Sequence, residues 1–152
     1  MLTFNTLLSR EGINPLSVRL VRHADNRGPG PSSYDLWLSR SNDDRFERYQ
    51  RLQKEPVKFG VGHLIAIFVA PSPKDTLFAG LYSVDAVTPA PPGTVCPVLQ
   101  TDCGVGHVIF DLRLDTRLSQ YIGLLVIEWG PGYRSWVQRA ELRDKPVLEI
   151  RR

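Results

Sequence analysis

The apolar positions of this 152-residue chain follow two different spacings. In the first third they recur at helical intervals. Phe4, Leu7 and Leu8 share one face of a helix predicted over Thr3 to Arg10. Gly12 ends that helix and Asn14-Pro15 blocks its continuation. Val18 to Arg22 reads as a strand, with Val18 and Leu20 inward and Arg19 and Arg22 outward or along an edge. Residues 26–33, NRGPGPSS, read as a loop. Ser33 is placed to cap a helical turn holding Tyr34, Leu36, Trp37 and Leu38. A longer helix is predicted from Asn42 or Asp43 to about Gln53. On it Phe46, Tyr49 and Gln50 share a face, flanked by a stripe of Arg45, Arg48 and Arg51.

Beyond Pro56 the spacing changes. His63 to Ala70 is apolar without alternation, as in a strand covered on both faces. Thr76 to Val87 predicts its hairpin partner, with Gly80 marking a bulge or a close approach. Residues 88–106, rich in Pro and Gly, predict a long excursion. His107 to Leu112, Leu124 to Trp129, Ser135 to Gln138 and Pro146 to Ile150 supply further strands, and Asp115 to Tyr121 a short helix. Together these predict an α+β domain: a small, mostly antiparallel sheet curled into a barrel, which hides its edges, with two or three short helices. The expected organisation is a single domain over 1–152. A helical part over about 1–55 packs on a barrel core over about 60–152.

Composition adds little to this picture except through charge. The hydrophobic share of 42% and charged share of 23% are those of an ordinary globular chain. No apolar run approaches the roughly 20 residues of a membrane helix, and the N-terminus has no secretory pattern. Two cysteines in such a chain predict a reducing compartment, the cytoplasm. The net charge of +3 is unevenly spread. Residues 1–52 carry eight Arg against six acids, residues 53–133 five Lys or Arg against seven, and residues 134–152 six against three. Arg outnumbers Lys 15 to 4, and the planar, bidentate guanidinium suits phosphates and base edges.

Candidate chemistry is densest between Tyr121 and Arg139. There an apolar run stops at Trp129, turns at Gly130-Pro131-Gly132, and continues through Tyr133, Arg134 and Trp136. No catalytic motif is present. Gly80-Leu81-Tyr82 and Tyr121-Ile122-Gly123 approximate the paired triplets of the GIY-YIG nucleases, but 38 residues separate them, far more than in that family. Cys96, Cys103 and His107 lack the close cysteine pair and the fourth ligand of a structural zinc site, so no metal is predicted. His23, His63 and His107 have no nucleophile or paired carboxylate beside them in the sequence. No catalytic residue and no cofactor is expected. The aromatic residues Trp37, Tyr82, Trp129, Tyr133 and Trp136 are candidates for gripping a planar base. Arg19, Arg22, Arg48, Arg51, Arg134 and Arg139 are candidates for phosphate contacts.

The segments TFNTLLSREGINPLSVRLVRH, YDLW, FERYQ, LFAGLY and LLVIEWGPGYRSWVQRAELRDKPVLEIRR resemble the N-terminal, non-catalytic domain of bacterial GIY-YIG nuclease-family proteins. The stretch from Trp129 to Ala140 is the most specific. The chain departs from that family at His63-Leu64, where those proteins carry an aromatic pair. In them the nuclease lies beyond the domain. The resemblance therefore implies a PUA-like or EVE-like reader, a small barrel accepting a modified base. It would serve as the specificity domain of a restriction-type nuclease that is fused or associated. The expected partner is DNA, modified in this reading, with no membrane association. The alternative is a protein-interaction or structural module that binds no nucleic acid.

Overall fold

The apolar run beginning at Leu64 is a strand with both faces covered, as the computed structural model shows. The structure describes residues 1–23, 31–54, 59–72, 75–95, 106–129, 137–141 and 144–152. Among these, three helices are present: α1 (Phe4–Arg10), α2 (Ser33–Leu38) and α3 (Arg45–Arg51). The strands are β1 (Val18–His23), β2 (Leu52–Lys54), β3 (Leu64–Val69), β4 (Thr76–Pro89), β5 (His107–Leu114), β6 (Leu125–Ile127), β7 (Val137–Arg139) and β8 (Val147–Ile150). Short 3₁₀ turns occupy Pro15–Ser17 and Thr116–Tyr121. The strands form one curled, mixed sheet in the order β2-β5-β4-β3-β1-β7, with β6 joining β4 to β8. The expected small α+β curled barrel is the observed fold class.

Most pairings are antiparallel, including the predicted β3–β4 hairpin. The pairing of β1 with β3 is parallel, from Val18–Leu64 to His23–Val69. Alternation along β3 explains its unbroken apolar run. Ile65, Ile67 and Val69 enter one core cluster with Leu36, Trp37 and Phe46 of α2 and α3. Ala66 and Phe68 enter a second cluster with Phe4, Leu7 and Leu8 of α1 and with Trp129. Each such buried aliphatic or aromatic side chain contributes roughly 1.5–3 kcal/mol relative to exposure.

Local starts and stops refine the predicted boundaries. Thr3 caps α1 through its side chain. Ser32, not Ser33, caps α2, in a reciprocal capping box with Asp35. Ser33 is buried, and its hydroxyl donates to the His23 carbonyl. α3 is shorter than predicted. Asp43 holds both the backbone N–H and the Nε of Arg45, so the helix begins only there. Its end comes before Gln53, which pairs in β2 against Val108 of β5.

The sheet is built around β4. One edge of β4 takes β3, from Leu77 to Ser83. The other edge takes β6 at Thr76 and Leu77 and β5 from Tyr82 to Pro89. Two register shifts interrupt it, one beside Ala79-Gly80 and one at Asp85. The first inverts the facing of the strand. Before it Leu77 and Ala79 lie in the α2–α3 cluster; after it Tyr82 and Val84 do, while Leu81 joins the α1 cluster. Strict alternation would have sent Leu81 to the α2–α3 side and Tyr82 away from it. Gly80 has φ +144°, and a Cβ there would stand 2.8 Å from the Tyr82 ring. Gly80→Ala is therefore expected to cost about 1–3 kcal/mol and to displace the Tyr82 ring. Urea unfolding measures the cost; a loss under about 0.5 kcal/mol, the level of an ordinary surface change, would count against this account.

Candidate functional site

The inversion at Gly80 brings Tyr82 to a cleft of about 340 Å³ between the sheet and the α2–α3 pair. Trp37 and Arg40 contribute from α2 and the turn after it, and Phe46, Glu47, Gln50 and Arg51 from α3. Ala79 and Tyr82 come from β4, Leu112 and Leu114 from β5, and Ile122 from the turn before β6. The volume is at the lower end of the roughly 300–1,000 Å³ typical of small-molecule sites.

Trp37 is 5% exposed and is fixed on several sides. Tyr34 stacks on it at 6.1 Å with a 17° interplanar angle. Gly123, at φ +77°, brings backbone so close that a Cβ would lie 2.8 Å from the indole edge. The Arg40 guanidinium carbon lies 3.7 Å from the centre of the Trp37 ring, and Arg40 Nη1 donates to the Trp37 carbonyl at 3.0 Å. Arg40 thus covers an indole face, a cation–π contact that also holds the guanidinium flat. Trp37 supports a plate and does not itself offer a bare stacking surface.

The arginines of α3 are held by acids. Arg48 pairs with Asp44 at 3.1 Å, and Arg51 with Glu47 at 2.7 Å and Asp111 at 3.5 Å. Arg45 pairs with Asp43 at 3.1 Å, and the Arg45 backbone hydrogen bond is the main cause holding the Asp43 carboxyl below its ordinary range. Arg40 makes no ion pair among the described residues. Within the cleft Arg40 and Arg51 stand against Asp43 and Glu47, so its formal charge balances.

Three polar atoms of cleft-lining residues are buried without a hydrogen-bond partner among the described residues: Trp37 Nε1, Gln50 Oε1 and Arg51 Nε. Gln50 is 3% exposed, and its backbone carbonyl accepts from the side-chain amide of the buried Gln53 at 2.7 Å. An unpaired buried acceptor costs about 1–3 kcal/mol, a cost that a ligand donor would relieve.

Of the base-binding candidates, Trp37 and Tyr82 meet at this cleft. Trp129 does not. It is 2% exposed in the α1 cluster, 6.0 Å from Phe68, with the buried Lys145 ammonium against its ring and on its carbonyl. Tyr133 and Trp136 lie outside the described residues, as do Arg134, Cys96 and Cys103. Among the described phosphate candidates only Arg51 lines the cleft. Arg22 does not face outward as predicted: it is 5% exposed, and its Nε donates to Thr76 Oγ1 at 3.0 Å inside the fold. Arg19 and Arg139 sit opposite each other on β1 and β7, with Arg139 paired to Glu141. The two near-GIY-YIG triplets do converge, since Gly123 N donates to the Phe78 carbonyl at 2.9 Å, but Tyr121 belongs to a 3₁₀ turn and not to a paired strand. Arg40 is the residue that sequence reasoning missed. Its signal was present, three residues after Trp37 and hence on the same helical side.

Among the described residues no three His, Cys, Asp or Glu side chains converge as metal ligands, and no helix is long and apolar enough to cross a membrane. No family model, curated protein or solved structure matches the chain.

Behind the cleft, His23 is fully buried against Tyr49, at 4.7 Å, and Phe46, at 6.4 Å. Burial lowers its pKa from 6.5 to about 4. The neutral ring is thus favoured in the fold, while the unfolded chain takes up a proton at higher pH. The stability it protects is complete above pH 6.5 and is lost as pH falls toward 4, roughly 3 kcal/mol in all. From pH 7.5 to 5.5 the unfolding free energy from urea titration is expected to drop more for the wild type than for His23→Phe, by about 1 kcal/mol. Equal drops would refute the assignment.

Proposed function

We propose that this domain is a nucleic-acid-binding module that holds one unstacked base in the α2–α3 cleft. The observation that carries the reading is the pairing, across one cleft of about 340 Å³, of the Tyr82 ring with a guanidinium plate, Arg40 on Trp37. Aromatic rings and guanidinium planes are the surfaces on which single bases stack. The balanced charge of the cleft suits an uncharged heterocycle and leaves phosphates outside it. In the finer reading, supported by the family resemblance, the base is a modified base of DNA. The domain then provides specificity to a restriction-type nuclease, fused or associated, and works in the cytoplasm.

A second reading has an observation of its own. An apolar groove of about 380 Å³ lies beside the cleft under Val95 and Ile109, bounded by Leu52 and the Arg48 and Arg51 stems. A protein-interaction module would use such a surface.

Short duplexes, unmodified or carrying methylated, hydroxymethylated or phosphorothioated nucleotides, separate the readings when titrated at two salt concentrations. The expected result is preference for one modified duplex, with a shallow salt dependence, because the α3 arginines are already paired. Tyr82→Ala is expected to weaken that binding by about 1–3 kcal/mol, and Arg40→Ala to weaken it as well. Weak binding equal across the panel and abolished by salt would leave only a generic basic surface. Absence of binding at low salt would favour the protein-interaction reading.

A further inference from the structure

We propose that Gln50 is the specificity-determining residue of the cleft, and that the base it accepts presents an N–H donor to the Gln50 amide. The inference rests on the base-binding reading above and adds the chemistry of the base edge. Gln50 lines the cleft from α3, is 3% exposed, and leaves Oε1 buried without a partner among the described residues. The surrounding lining mixes the apolar Phe46, Ala79, Leu112 and Ile122 with the ion-paired Glu47 and Arg51, and no donor of the described residues is bonded to that oxygen. The terminal amide torsion is soft, and its rotation exchanges Oε1 with the amide NH2 at the cleft. Trp37 Nε1–H and Arg51 Nε–H are the other unpaired groups of the lining, and both are donors. An acceptor and donors left open around one cleft complement a base edge that carries an N–H beside a ring nitrogen or carbonyl. A ligand with acceptors alone would leave Oε1 unpaired and gain nothing from it.

The test uses the full chain and the tryptophan fluorescence change or heat released on titration with nucleosides. Three pairs are compared: adenosine with N6,N6-dimethyladenosine, cytidine with N4,N4-dimethylcytidine, and thymidine with N3-methylthymidine. In each pair the second member lacks the exocyclic or ring N–H. Wild-type protein is expected to bind at least one parent nucleoside and to bind its methylated counterpart at least tenfold more weakly. Gln50→Met, which keeps the length and removes the amide, is expected to abolish that discrimination while its melting temperature stays equal or rises. Gln50→Glu, which keeps an acceptor, is expected to retain the preference for the donor-bearing member. Binding by the wild type that is indifferent to the methyl groups, or discrimination that persists in Gln50→Met, would overturn the role of Gln50 and leave the base-binding reading standing. If no nucleoside binds wild-type protein but the modified duplexes do, a lone base edge is not what is read, and the inference fails by itself. If neither nucleosides nor duplexes bind, both readings fall together.

Discussion

The architecture depends on one strand meeting different partners along its length. β4 pairs with β3 on one edge and with β6 and then β5 on the other. A regular strand of 14 residues serving all three would be a flat ribbon with fixed facing. The shift beside Gly80 and the one at Asp85 bend it, and the first exchanges its two sides. That exchange sends Phe78 and Leu81 to the α1 core and Ala79 and Tyr82 to the α2–α3 core. The curl of the sheet and the presence of an aromatic ring at the cleft therefore share one cause, a glycine at a φ that other residues adopt only under strain.

The opposite wall of the cleft comes from the segment between β1 and β3. Because those strands run parallel, the chain must cross over between them, and α2, α3 and β2 ride on the crossover. The wall is tied to the sheet by contacts that are mostly apolar: Trp37 on Gly123, and Phe46 and Tyr49 on His23. Charge is used differently. Most acids of α3 and its preceding turn are spent on the arginines beside them, which leaves Arg40 as the cation aligned by an aromatic ring instead of a carboxylate.

Much of the fold was legible in the sequence, because burial on two faces writes a continuous apolar run and helices write their spacing. The β3–β4 hairpin, the bulge at Gly80 and α1 followed directly. Helix starts did not, since Ser32 and Ser33 are equivalent by residue type and only the reciprocal bond with Asp35 decides between them. Arg22 was misplaced because alternation presumes one solvated face, and β1 is covered on both. At the cleft, Tyr82 and Trp37 could be named in advance as aromatics of interest. Their meeting could not, because it depends on a face exchange within β4 and on a parallel crossover. Gln50 was visible only as a member of a helical face; that its Oε1 lacks a partner among the described residues is a property of packing.

The parallel β1–β3 pairing also bears on how the molecule acquires its cleft. α2 and α3 have six and seven residues, too short to persist as isolated helices. Until β1 and β3 meet, the crossover carrying them has nothing to pack against, and closing a loop of that length is an entropic cost met only by the completed sheet. The cleft is therefore not a preformed pocket on an independent subunit of structure. It comes into being with the cooperative assembly of the whole sheet, so whatever stabilises the sheet also sets the fraction of molecules competent to bind.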